Sequence, residues 1–168
     1  VVLWFVGTAV VTVWFVFRDP RFDYRVLALG AVLPDLVDGV WGGARALHSV
    51  VTAVVVLIVV VLATIGRREA RRRWLALPIG MFLHLVFDGA FAQTRVFWWP
   101  LGGAGFDDAP LPSVDRGWTS LVLDLVGALA LVWVWRHFGL ADPQARRRLW
   151  RTGQLLEPHS TSPAPPTC

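Results

Sequence analysis

The sequence predicts an all-α integral membrane protein of about four transmembrane helices, with a re-entrant or broken helix carrying Pro34-Asp35 packed among them. Three observations lead there. Of 168 residues 55% are hydrophobic and the mean hydropathy is +0.56, more than a soluble domain of this size carries. Four apolar stretches, residues 1–17, 46–65, 74–91 and 117–135, reach or approach the roughly 20 residues a helix needs to cross hydrocarbon. The ten Trp residues fall largely at the ends of these stretches, where an amphipathic ring settles at headgroup level.

The first stretch, residues 1–17, has no basic region and small-residue cleavage site of the kind that marks a leader, so no cleavable signal is expected. Residues 26–41 are too short and too acidic for a lipid-facing span, because Pro34 interrupts them and Asp35 and Asp38 follow. They predict a re-entrant or broken helix inside the bundle, where irregular backbone at membrane depth is tolerated. The second and third stretches flank residues 66–73, with five Arg and one Glu, and short Arg-rich loops stay cytoplasmic. The tail after Trp135 carries Arg136, Arg146, Arg147, Arg148 and Arg151, so the fourth stretch also ends inside. Residues 92–116, with two Arg against Asp107, Asp108 and Asp115, are then external. A re-entrant second segment places the N-terminus inside and residues 18–25 outside; a full crossing there would flip the first span alone. Residues 1–151 form one helical membrane domain in this reading, and residues 152–168, ending in a stretch rich in Pro, Ser and Thr, a disordered cytoplasmic tail.

The formal net charge of +4 raises the question of nucleic acid, but the Arg residues cluster beside apolar spans. The lipid bilayer, with its anionic headgroups, is the better partner. All sixteen basic residues are Arg, a usage that fits codon bias, and the lone Cys168 excludes an intramolecular disulfide.

An ionisable side chain inside a span costs several kcal/mol on most scales, so each needs a reason. Five stand out: Asp35, Asp38, His48, His84 and Asp88. His84 and Asp88 are four apart, which puts imidazole and carboxylate on one helical face. Pairing residues equidistant from the loop between the second and third stretches brings His48 and Asp88 within roughly 5 Å in height, with His84 about one turn deeper. Asp35 and Asp38 enter from the same outer side. Two imidazoles and three carboxylates make a mixed nitrogen and oxygen set that suits zinc first, and also manganese or iron. Singly, any of these residues is as readily interhelical glue. Together they share one depth with few cations nearby, whereas a proton or ion relay would be spread across the membrane thickness.

Asp124 shares the depth of His84 and is read as orienting its second ring nitrogen, with direct ligation or pairing with Thr119 as alternatives. Arg45 and Arg95 are candidates to hold an anionic substrate group such as a phosphate; for Arg95 snorkelling to headgroups is the stronger reading. His137 and His159 lie toward the tail and receive no role.

The runs Gly30-Ala-Val-Leu-Pro-Asp35-Leu-Val-Asp38, His48-Ser49, Gly80-Met-Phe-Leu-His84-Leu-Val-Phe-Asp88 and Phe97-Trp98-Trp99-Pro100-Leu101 occur in this order over about half of the chain. In them the chain resembles the YdjM-like family of predicted membrane-bound metal-dependent hydrolases. The resemblance implies a small helical membrane protein whose Pro-Asp, His-Ser and His-x-x-x-Asp elements form a metal site, here Asp35, Asp38, His48, His84 and Asp88. The chain departs from the family in lacking a His in residues 1–17, in placing Arg45 three residues before the His-Ser pair, and in spacing its acid pair by three. The resemblance implies a hydrolase label, and with the topology above the expectation is metal-assisted hydrolysis in the plasma (inner) membrane, toward the extracytoplasmic side. The ion activates water, Asp38 or Asp88 takes the proton, and Arg45 assists with the substrate. A site at that depth points to a lipid-like ester or phosphoester. No nucleophile elbow and no zinc-protease helix motif supports a covalent or peptidase route. The alternatives are a proton-coupled or metal-ion transporter and a non-catalytic membrane scaffold.

Overall fold

The computed structural model describes residues 1–103, 105 and 117–157. Every regular element among them is helical: α1 (Val2–Phe17), α2 (Tyr24–Val40), a 3-10 turn (Ala46–His48), α3 (Val50–Ala63), α4 (Arg68–Trp74), α5 (Ala76–Asp88), a second 3-10 turn (Ala90–Ala92), α6 (Thr94–Phe97), α7 (Thr119–His137) and α8 (Pro143–Thr152).

The stretches 46–65 and 74–91 are longer than the helices they form, of 14 and 13 residues, so four full-length spans are not supported. Among the described residues only α7, with 19 residues, is long and apolar enough to cross a membrane by length and composition; α1 and α3 are apolar but have 16 and 14 residues. The local causes are legible. Ser49 caps α3 by accepting from the Val51 amide at 3.1 Å, so the residues before it lie outside that helix. Pro78 cannot donate to the carbonyl four residues back, at Trp74, and α5 starts afresh at Ala76. Gly89, at φ 69°, ends α5 in the left-handed conformation a glycine adopts without penalty.

A second correction concerns α2, which is one unbroken helix of 17 residues with Pro34 inside it. Packing against α5 holds it together. Gly30 and Gly80 sit where a Cβ would collide with the Leu77 carbonyl and with the backbone of Leu27 and Ala31, so the two helices touch backbone to backbone. Gly7 of α1 and Gly127 of α7 make a similar crossing.

Because α2 runs the full length of the bundle, residues 18–25 lie at the same end as the loop 66–73, not at the opposite end as the re-entrant reading required. Arg72 Nε lies 3.9 Å from Asp19, and Arg73 Nε 3.2 Å from Asp23. Asp23 also caps α2 and binds Arg25 at 2.8 Å. Burial alone would raise its carboxyl, but the Arg25 side chain and the Val26 amide outweigh that and hold it below the ordinary range. The packed chain continues past α8: Tyr24 donates its amide to the Gly153 carbonyl at 2.8 Å, and Leu155 is buried in the same apolar core as Phe5, Val13 and Phe138. Of the tail expected to be disordered, residues 158–168 lie outside the described residues, as do Asp107, Asp108, Asp115 and His159.

Candidate metal centre

The site forms at the end of the bundle opposite the arginines, where the last turns of α2 and α5 meet the turn that precedes α3. Three side chains converge. His48 Nε2 lies 3.3 Å from Asp35 Oδ1, His84 Nε2 lies 3.5 Å from the same oxygen, and the three atoms are all within 4.8 Å of one another. Both histidines are buried, while the Asp35 side chain is 19% exposed.

The other nitrogen of each ring fixes its tautomer. His84 Nδ1 is 2.8 Å from the Ala31 carbonyl, which can only accept, so Nδ1 carries the hydrogen. In the neutral ring Nε2 then presents a lone pair to the site. His48 Nδ1 is 2.8 Å from Asp38 Oδ2, with the same consequence. His84 also packs against Phe5, with ring centroids 4.0 Å apart. Each imidazole is therefore gripped from behind and bare in front.

None of the three converging atoms makes a hydrogen bond of good geometry, although all are buried. Leaving a buried polar atom unsatisfied costs about 1–3 kcal/mol, so the cluster carries a penalty of several kcal/mol that a cation would offset. The spacing suits one. A tetrahedral ion with bonds of about 2.1 Å has ligand-to-ligand edges of about 3.4 Å, and the two Asp35 distances bracket that value.

The remaining expected residues are placed differently. Asp38 stands behind the site: its Oδ2 accepts from His48 Nδ1 and from the amides of Arg45, Leu47 and His48 at 2.9, 3.1 and 3.2 Å. Four donors occupy that oxygen, and Asp38 is not among the three side chains that converge. It orients His48 and folds the loop around it. Arg45 enters that loop through its backbone amide. Asp88 is buried one turn beyond His84 and is not among the three atoms that converge. Asp124 does not reach His84, whose second nitrogen is taken by Ala31. It accepts from the Trp4 amide at 3.2 Å and lies 2.9 Å from the Val1 nitrogen, capping α1. Ser49, read only as half of a His-Ser pair, lies 2.6 Å from the Trp99 carbonyl and 3.1 Å from that of Phe97, which binds the Phe97-Trp-Trp-Pro run to the start of α3. His137 lies 3.3 Å from Glu157 at the far end.

Two contributors were beyond sequence reasoning. The Ala31 carbonyl is backbone and carries no residue signal, and Phe5 is one apolar residue in an apolar helix. The small residues Gly30 and Gly80 were the available sign that α2 and α5 approach closely enough for Ala31 to reach His84. Compared with family models, with curated proteins and with solved structures, the chain finds no match.

Proposed function

We propose that this chain is a bilayer-embedded, metal-dependent hydrolase of a lipid-like ester or phosphoester, as its resemblance to the YdjM-like family implies. The observation that carries the proposal is the convergence of His48 Nε2, His84 Nε2 and Asp35 Oδ1 as buried atoms without hydrogen bonds, each imidazole tethered through its other nitrogen. Two imidazoles and one carboxylate, with further positions left open, are a donor set of hydrolytic zinc sites and suit manganese or iron as well; zinc is the ion we propose. Bound there, a divalent ion supplies Lewis acidity and a nucleophile at neutral pH. Asp38 keeps His48 aimed, Ala31 keeps His84 aimed, and Asp35, the one partly exposed ligand, marks the side from which substrate enters. Asp38, through the oxygen that His48 does not use, or Asp88 takes the proton-accepting role.

Placement in the bilayer is supported by what the apolar helices leave uncovered. Only 11% of the apolar window of α7 is buried, where the core helix of a soluble protein would be mostly covered, and Leu121, Leu125 and Leu129 are 73%, 61% and 60% exposed. In α3 only Ala53 is buried. We place α1, α2, α3, α5 and α7 across the hydrocarbon. The 14 residues of α3 reach about 21 Å, and local thinning with snorkelling of flanking arginines takes up the difference from about 30 Å. With α2 crossing, thirteen of the sixteen Arg residues gather at one end, which the positive-inside rule makes cytoplasmic in an inner membrane and which leaves the metal site toward the outside.

Metal analysis of purified protein is the test, followed by hydrolysis assays after reconstitution. About one ion per chain is expected in wild type and essentially none in His84→Ala or His48→Ala, with chelator abolishing cleavage of a lipid-like ester or phosphoester. Folded His84→Ala protein with wild-type metal content would overturn the site. Chelator-insensitive, ion-coupled flux in sealed vesicles would replace the hydrolase by a transporter.

A further inference from the structure

The arginine-rich end gathers three arginines on the outer face of α8. Helix α8 is amphipathic: Ala145 and Leu149 pack against the apolar core, and the helix is fixed in place because Arg25 donates to the Trp150 carbonyl and Tyr24 to that of Gly153. Arg146 turns inward, donating to the Leu140 and Ala141 carbonyls and lying over the Trp135 ring at 5.8 Å. The other three arginines turn away. Arg147, Arg148 and Arg151, with Gln144 and Thr152, line a shallow, open cleft of about 490 Å³ along the outer face of α8, with no acid among them. Among the described residues none of these three arginines has an ion-pair partner. Trp150 beside them is 74% exposed, the position of an aromatic ring that inserts at headgroup level.

We propose that this cleft binds the phosphate of an anionic phospholipid in the leaflet at this end of the bundle, with Trp150 set among the neighbouring headgroups. Three guanidinium groups on one short helix offer paired donors that match phosphate oxygens, and the docked inner face of α8 holds them in register. The proposal rests on the bilayer placement above and is independent of the metal chemistry.

The test uses the full chain in nanodiscs of phosphatidylcholine into which phosphatidylglycerol is titrated, with thermal unfolding as the readout. Phosphatidylglycerol is expected to stabilise the wild type saturably, and R147Q/R148Q/R151Q to weaken that response by about fivefold per arginine, about a hundredfold together, at low salt. A control with the same charge removed from exposed arginines elsewhere at this end, R21Q/R67Q/R68Q, should keep most of the response. Equal losses in the two triple variants would reduce the cleft to diffuse charge and overturn the proposal. So would an unchanged response in R147Q/R148Q/R151Q, or competition by millimolar inorganic phosphate as effective as the lipid. Failure of wild type and variants alike to enter nanodiscs would instead remove the bilayer placement, while metal content, measured in parallel, reports on the other site.

Discussion

The two ends of the bundle treat the same side chain in opposite ways. At the arginine end Asp19 faces Arg72, and Asp23 faces Arg25 and Arg73, so each carboxylate meets a permanent cation within 4 Å. At the other end the neighbours of Asp35 are two histidine rings whose facing nitrogens carry lone pairs, and those of Asp38 are backbone amides and one imidazole. An acid answered by Arg is finished as a piece of chemistry. An acid facing imidazole nitrogens in a buried pocket gains from a positive charge between them, whether a metal ion or a proton that makes an imidazolium. What separates a carboxylate neutralised in place from one that could ligate is thus the partner set, and partner sets come from the fold.

The largest expected effect probes the seam that builds the site end. Gly80 packs against the backbone of Leu27, Gly30 and Ala31, so no side chain can yield to make room for a substituent. Overpacking typically costs about 1–3 kcal/mol, and a clash with backbone on several sides lies at or beyond the top of that range. Gly80→Val should therefore separate α2 from α5, withdraw Ala31 from His84, and abolish folded, metal-loaded protein. A well-folded Gly80→Val protein with normal metal content would show that the seam does not position the ring.

Next in size is the difference between a ligand and the group that aims it. Asp38→Asn keeps an oxygen for the amides of Arg45, Leu47 and His48 but loses the charge that accepts from His48 Nδ1. Removing such an orienting partner typically weakens metal binding by about 10–100-fold. Metal titration should find Asp38→Asn weakened in that range, and Asp35→Asn, altered at the converging oxygen itself, more severely. The reverse order would exchange the two roles.

How much of this was legible follows from what each residue can signal. Asp35, His48 and His84 stood out because ionisable groups are anomalous in apolar stretches, and those three are the ones the fold brings together. The division of labour among the five was not legible, since Asp38 and Asp35 differ only in which way one turn of α2 points them. Pro34 was misread as a break because a proline removes a helical hydrogen bond, whereas close packing through Gly30 and Gly80 keeps α2 continuous. That single misreading sent residues 18–25 to the wrong end. The second and third spans were overestimated in length because an apolar run does not show where Ser49, Pro78 and Gly89 start and stop the helices inside it.

The smallest effect sharpens the comparison from the arginine end. Asp23 is held below its ordinary carboxyl range because hydrogen bonds and charge from Arg25, with the Val26 amide, outweigh the opposing effect of burial. A carboxylate whose folded-state pKa is depressed contributes stability that is fully present above its unfolded value, near 3.8, and is lost as pH falls through the lower folded value. Asp23→Asn retains an acceptor for the α2 cap and removes only the charge, and the guanidinium groups it faces are partly solvated, so the loss should be about 1 kcal/mol. Thermal unfolding in detergent should show a constant gap between wild type and Asp23→Asn across roughly pH 5 to 8, closing only in strong acid. Metal content should be unchanged throughout. A gap that closed near neutral pH, or a loss of metal on this substitution, would mean that the two ends of the bundle are coupled and that Asp23 is more than a neutralised anchor.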